Sequence, residues 1–162
     1  MYKKANLDTG FIIALMNAND PRHDKALGYF KYFLDTGCVM RVSTIAISEY
    51  CVKGNFTSLP LDQIIPLPFN ANHAVKAGDF ASKLLAERSK WAVEKGDRVI
   101  LLNDAKIMAQ AETDKTDVYV TFDTESKRLY DILRNHKLVT FEFWDANHAA
   151  ELRTGKLNFP EE

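Results

Sequence analysis

Apolar residues in this chain fall into two rhythms, short unbroken runs and longer stretches with helical spacing. The first run ends at Leu7, and Asp8 follows. Residues 9–16, from Thr9 to Met16, read as a largely buried helix. Asn17-Ala18-Asn19-Asp20-Pro21 is a turn cluster. From Arg22 to about Leu34, Ala26, Tyr29, Phe30 and Phe33 recur at helical spacing, and Asp35-Thr36-Gly37 closes that helix. Gly37 suits the left-handed capping position. Residues 38–43 predict a second strand, and residues 44–53 a helix ended by Gly54-Asn55. Residues 56–68 carry three prolines, with Ile64-Ile65 as a short edge strand, where proline is tolerated. Asn72 is expected to cap a helix to about Lys90, with Ala77, Phe80, Ala81, Leu84 and Leu85 on its apolar face. Residues 90–98 mix charge with Gly96 and read as a surface connection. The run Val99-Ile100-Leu101-Leu102 reads as a strand or its edge, leading into a helix from Asn103 to about Thr113. Val118–Thr121 predicts a buried strand, residues 126–135 a helix, and residues 138–144 a last strand. This alternation predicts an α/β fold with a mostly parallel sheet covered by helices on both faces.

At 162 residues, 46% hydrophobic and 27% charged, the chain suffices for one domain over 1–162 with a full core. Twenty-one basic residues against 22 acidic ones neither announce nor exclude a nucleic-acid partner. No apolar stretch approaches a membrane span, and the first eight residues lack a signal-peptide core. Cys38 and Cys51 have no metal-ligand spacing and are expected to be buried free thiols, which fits a cytoplasmic protein.

The candidate chemistry lies in four acids, Asp8, Glu49, Asp104 and Asp123, each at or shortly beyond a strand-like run. Such positions line the ligand crevice of a parallel sheet. Gathered at about 4 Å and an effective dielectric of ~20, each like-charged pair would cost roughly 4 kcal/mol. A hard divalent cation relieves that cost, and an oxygen-only set suits Mg²⁺ or Mn²⁺ acting on phosphate esters. Asp104 is expected in the first turn of its helix, where the macrodipole favours negative charge. Glu49 is expected inside a helix among Ile45, Ala46, Tyr50 and Cys51, an environment that demands a cation or hydrogen-bond donors.

Each acid also has a plainer reading, Asp8 and Asp123 as helix caps, Asp104 as a first-turn acid and Glu49 as a surface residue. Asp114 and Asp117 precede the Val118 strand and read as solvated turn residues; Asp145 reads as a cap and Glu125 as undecided. His23, His73, His136 and His148 suit surface or capping roles. Nucleophile-elbow, dinucleotide and P-loop sequences are absent.

The segments Leu7-Asp8-Thr9-Gly10, Ile47-Ser48-Glu49-Tyr50, Asn103 to Ala111 and Val120-Thr121-Phe122-Asp123 together resemble, in type and order, the PIN-domain ribonucleases. The resemblance covers nearly the whole chain. It implies a three-layer α/β/α sandwich with four or five central strands. It also implies catalytic, metal-binding roles for Asp8, Glu49, Asp104 and Asp123 around one or two Mg²⁺ or Mn²⁺ ions. Thr9 and Thr121 would orient those carboxylates or a water. The implied reaction is hydrolysis of RNA to 5′-phosphate and 3′-hydroxyl ends, and the branch resembled is the VapC-like toxin of a type II toxin–antitoxin pair. An antitoxin and a homodimer partner would cover its helices. A non-catalytic RNA- or protein-binding module and an RNA-maturation nuclease are the alternatives. Lys106, Lys127 and Arg128 are candidate phosphate contacts, with Arg22 and Lys25 behind them. Tyr29 and Tyr32 read either as core filling or, for one of them, as an aromatic left outside the core for a partner to cover. The chain is slightly long for the family, with its excess at 56–68 and 90–98.

Overall fold

In a computed structural model, which describes residues 2–87 and 97–150 (without the side chains of 97–101), five parallel strands form one sheet. β1 (Lys4–Leu7) is central, between β2 (Val39–Ser43) and β4 (Val118–Thr121); β3 (Ile64–Leu67) and β5 (Glu142–Asp145) are the edges. Leu7 aligns with Val42 on one side and Val120 on the other, so the carboxyl ends of the central strands come level. The order β3-β2-β1-β4-β5 means that the chain builds outward from β1 to β3, then crosses back to β4. Its direction reverses between β1 and β4, where a crevice opens beyond the strand ends.

Right-handed crossovers place the helices before and after that reversal on opposite faces of the sheet. On one face α1 (Thr9–Met16) packs on α2 (His23–Asp35) and α3 (Thr44–Tyr50). On the other, α4 (Ala71–Glu87), α5 (Asp97–Thr113) and α6 (Thr124–Asn135) contact one another. Three layers result, as expected. Leu7, Phe11, Ile12, Met40, Ile64, Phe80, Leu84 and Ile107 are fully buried between them. Each such side chain contributes roughly 1.5–3 kcal/mol relative to exposure. Among the described residues, no helix is long and apolar enough to cross a membrane.

Several boundaries differ from the sequence reading, each for a local reason. Val99–Leu102 belongs to α5, not to a strand, because a short apolar run suits a buried helix equally well. Since α5 starts at Asp97, Asp104 lies about two turns inside it, beyond reach of the helix-end field. α3 stops at Tyr50, because Val52 and Lys53 donate to Glu49 and Tyr50 in tight three-residue turns. Glu49 is therefore near a helix end, and Cys51 is exposed instead of buried. The cap of α4 is Asn70, not Asn72: its Oδ1 accepts from the His73 N–H, and His73 Nδ1 accepts from the Asn70 N–H.

β5 begins at Glu142, not Leu138. The preceding backbone is satisfied by side chains: Arg134 donates to Val139 and Thr140, Tyr130 donates to Phe141, and Glu112 accepts from Thr140. Tyr29 is wholly buried against Phe11, Phe33 and Trp144, its hydroxyl donating to the His148 carbonyl; Tyr32 is half-buried. Asp114 and Asp117 are not solvated turn residues. Asp114 pairs with Arg41 and Lys4, and Asp117 accepts the N–H groups of Lys3 and Lys4, anchoring the start of β1. The edge strand at Ile64-Ile65 and the left-handed Gly37 (φ 67°) match the reading. In the reading of 90–98 as a surface connection, residues 90–96 lie outside the described residues.

Candidate active site at the carboxyl end of the sheet

Asp8 leaves β1 at the reversal point, where its N–H donates to Val120 O across to β4. Its side chain is buried. Thr121, the last residue of β4, donates its hydroxyl to Asp8 Oδ2 at 2.8 Å and accepts the Asp123 N–H at 2.9 Å. One hydroxyl thus ties the two strand ends together. Asp123 also caps α6, its Oδ1 accepting from Glu125 N, so the capping reading and the crevice reading hold together.

Glu49 is half-buried and held from two sides. Thr9 donates a hydroxyl to Oε2, and Asn103 donates its amide to Oε1 at 2.9 Å. Asp104, one residue further along α5, faces the wholly buried Ser126, whose hydroxyl lies 3.4 Å from Asp104 Oδ2 and 3.2 Å from Asp123 Oδ2. Asp8, Thr9, Gly10, Glu49, Asp104 and Asp123 line one crevice of about 570 Å³, together with Arg22 and Asn103. A larger hollow, about 960 Å³, sits elsewhere, but its acids are taken up by local hydrogen bonds: Glu112 by Thr140, Asp117 by Lys3 and Lys4, and Glu142 by Tyr2.

The electrostatics of the crevice are those of crowded anions. Burial, followed by the charges of Asp8, Asp123 and Glu49, pushes the Asp104 carboxyl up to about 8. Burial also raises Asp8, with Asp123 adding to the rise, while the Thr121 hydroxyl and the Thr9 N–H pull it down. Tyr119, on β4, is raised well above its ordinary value by burial and then by Asp8 and Asp104. All the charged donors of the carboxylate cluster are oxygens, the set a hard divalent ion prefers. Among the described residues, however, no three histidine, cysteine or acidic groups converge as a ready cage. The set fits Mg²⁺-like binding, in which one or two carboxylates hold an ion and water or substrate completes its shell.

The candidate cations are placed differently. Arg22 lines the crevice, paired through two nitrogens with Asp20, its guanidinium 5.3 Å from the Phe122 ring centre. Lys106 reaches back to Asn103 at 3.3 Å. Lys127 pairs with Asp131 over Tyr130 and Phe143, and neither it nor Arg128 lines the crevice. Lys25 donates to the Asn147 carbonyl. Asp145 accepts from Asn147 as a local cap. Sequence reasoning missed Asn103 and Ser126. Ser126 had a signal, three residues after the cap Asp123; Asn103 had none, because its role depends on α3 meeting α5.

Residues 6–132 match the PIN domain, and all four acids fall within that stretch. The chain belongs to the PIN-domain family. PIN domains are typically nucleases that use divalent metals. Solved structures of the same fold include VapBC2 from Rickettsia felis bound to a DNA fragment from its promoter. That likeness has 18% identity over 88% of this chain and 99% of the other, with a TM-score of 0.60. The sarcin–ricin-loop-cleaving toxin VapC20 of Mycobacterium tuberculosis is 17% identical over 76% of this chain and 93% of its own, with a TM-score of 0.52. DNA-bound VapBC from Salmonella typhimurium is 18% identical over 90% and 99%, with a TM-score of 0.51. No curated protein matches the sequence.

Proposed function

We propose that this PIN domain is a divalent-metal-dependent endoribonuclease, with Asp8, Glu49, Asp104 and Asp123 as its catalytic acids. The observation that carries the reading is geometric: those four carboxylates line one crevice, where burial first and then the charges of the other three hold the Asp104 carboxyl high. Such crowding is relieved by a positive charge, either the proton that Asp104 keeps or a cation that enters the crevice and displaces it. Mg²⁺ or Mn²⁺ bound there would supply that charge to a phosphate and lower the pKa of a water. Asp8, fixed by Thr121, would be the most rigid of the four. Glu49, gripped by Thr9 and Asn103, would hold the opposite wall. Asp104 and Asp123, linked through Ser126, would orient a water for in-line attack on phosphorus. The bond to the 3′ oxygen breaks, that oxygen takes a proton, and the new end is a 5′-phosphate. Arg22 stands at the crevice to meet the phosphate backbone.

The likeness to VapC and VapBC structures supports a role as the toxin of a toxin–antitoxin pair with an antitoxin as protein partner; a homodimer is part of the same proposal and rests on the family resemblance alone. The chemistry is tested by Mn²⁺-dependent cleavage of single-stranded and structured RNA. Asp8→Asn and Asp104→Asn should each lower the rate at least ~100-fold, about 2.7 kcal/mol of lost transition-state stabilisation. Wild-type rates in both variants would defeat the reading. A small DNA-binding protein encoded directly upstream, which blocks cleavage when co-purified, would support the toxin role over RNA maturation.

A further inference from the structure

Next to the carboxylate crevice lies a second hollow, about 620 Å³, between the ends of α1 and α3. Glu49 lines both, so the two hollows adjoin at its side chain. The second hollow has apolar walls, Ile13, Met16, Tyr50 and Val52, with Lys53 also lining it. Val52 is 78% exposed and Ile13 39%, so this apolar surface is open to solvent. Tyr50 is seated in an unusual way. A Cβ built on Gly54 would come 2.3 Å from the Tyr50 Cζ and 2.6 Å from both Cε atoms. Gly54 has no left-handed φ, so glycine there serves the ring, which lies directly on the backbone.

We propose that this hollow is a base subsite, in which the unpaired nucleobase beside the scissile phosphate stacks on Tyr50. The inference rests on the nuclease reading of the adjoining crevice. A phosphate held over Asp8 and Glu49 carries its neighbouring base into whatever adjoins Glu49, and what adjoins it is an apolar pocket with an aromatic ring. Stacking on an aromatic side chain is the common way proteins hold single-stranded bases, and it tolerates every base because each has a π-face. Lys53 adds a cation suited to the following phosphate. A subsite of this kind favours unpaired over duplex RNA and imposes little sequence preference.

Binding can be separated from cutting on an Asp8→Asn background, with fluorescence anisotropy of a short labelled single-stranded RNA and of the same RNA lacking its central bases. Tyr50→Leu should weaken the base-bearing RNA about tenfold and leave the abasic RNA unchanged, whereas Tyr50→Phe should restore wild-type binding. Gly54→Ala, which displaces the ring, should weaken binding in the same base-dependent way. Thermal unfolding of each variant checks that the fold is kept. Equal binding by Tyr50→Leu and its parent, or an equal loss for both RNAs, overturns the proposal and leaves the hollow to a protein segment. Base-dependent binding through Tyr50 without any cleavage by the wild type would sink the nuclease reading while sustaining the subsite.

Discussion

Thr121 is the residue on which the candidate site depends most. Its hydroxyl donates to buried Asp8 and accepts from the backbone of Asp123, so two acids from different strands share one small group. Valine keeps the shape and removes both bonds. Asp8 then loses a donor that lowers its pKa, and ionising it in its buried place becomes harder. Partners of this kind around a metal ligand are commonly worth 10–100-fold in affinity. Thr121→Val should therefore raise the Mn²⁺ concentration for half-maximal cleavage at least ~10-fold, read from a metal titration; an unchanged midpoint would remove Thr121 from the site. Asn6 presents the opposite case. It is fully buried at the centre of β1, beside Arg41 and Tyr119, and its amide has no hydrogen-bonded partner among the described residues. An unpaired buried amide costs about 1–3 kcal/mol. Asn6→Val, which also suits a strand, should raise the melting temperature by roughly 2–4 °C for each kcal/mol recovered, as followed by calorimetry.

At the scale of elements, the strands were easier to read than the helix boundaries. β4 is buried along its whole length and reads as an apolar run, β2 reads as one apart from Arg41 and Ser43, and β1, with Lys4 and Asn6 in it, was legible from Leu7 and the acid that follows. Pro66 marked an edge correctly, because an edge strand needs no N–H on its outer side. The boundaries that moved were fixed by partners far away in sequence. Glu112 and Arg134 satisfy the backbone before β5, and nothing in residues 138–141 themselves reveals it. The same holds for the site. Asp8 and Asp123 were legible because strand ends at a reversal of the sheet form crevices, and Glu49 because a carboxylate among apolar neighbours needs a reason. Asn103 was not legible, since it matters only once α3 and α5 have met. Asp104 was singled out on a mistaken premise about its helix start, yet it lies in the crevice with the other three.

The whole molecule carries its acidic cluster at a cost in stability, and the sign of that cost can be worked out. Asp104 titrates at about 8 when folded against 3.8 for a free side chain. Below about pH 4 both states are protonated and the residue is neutral in its effect. As pH rises from there to about 8, the unfolded chain gives up its proton first, so stability falls, and above about 8 the loss is complete. Asp8 acts in the same direction. The metal-free protein should therefore melt at lower temperature near pH 8 than near pH 5, and Asp104→Asn should flatten that slope. Because an ion must displace the remaining proton, Mn²⁺ should raise the melting temperature more at the higher pH. A metal-free melting temperature that climbs over this range would contradict the assignment. The geometry has a final consequence for how the chain is made. Asp8 acquires its hydroxyl partner only from a residue 113 positions downstream, on the strand that closes the sheet beside it. A nascent chain still missing that strand lacks the Thr121 hydroxyl and the Asp123 wall of the crevice, so the arrangement around Asp8 is completed only late in synthesis.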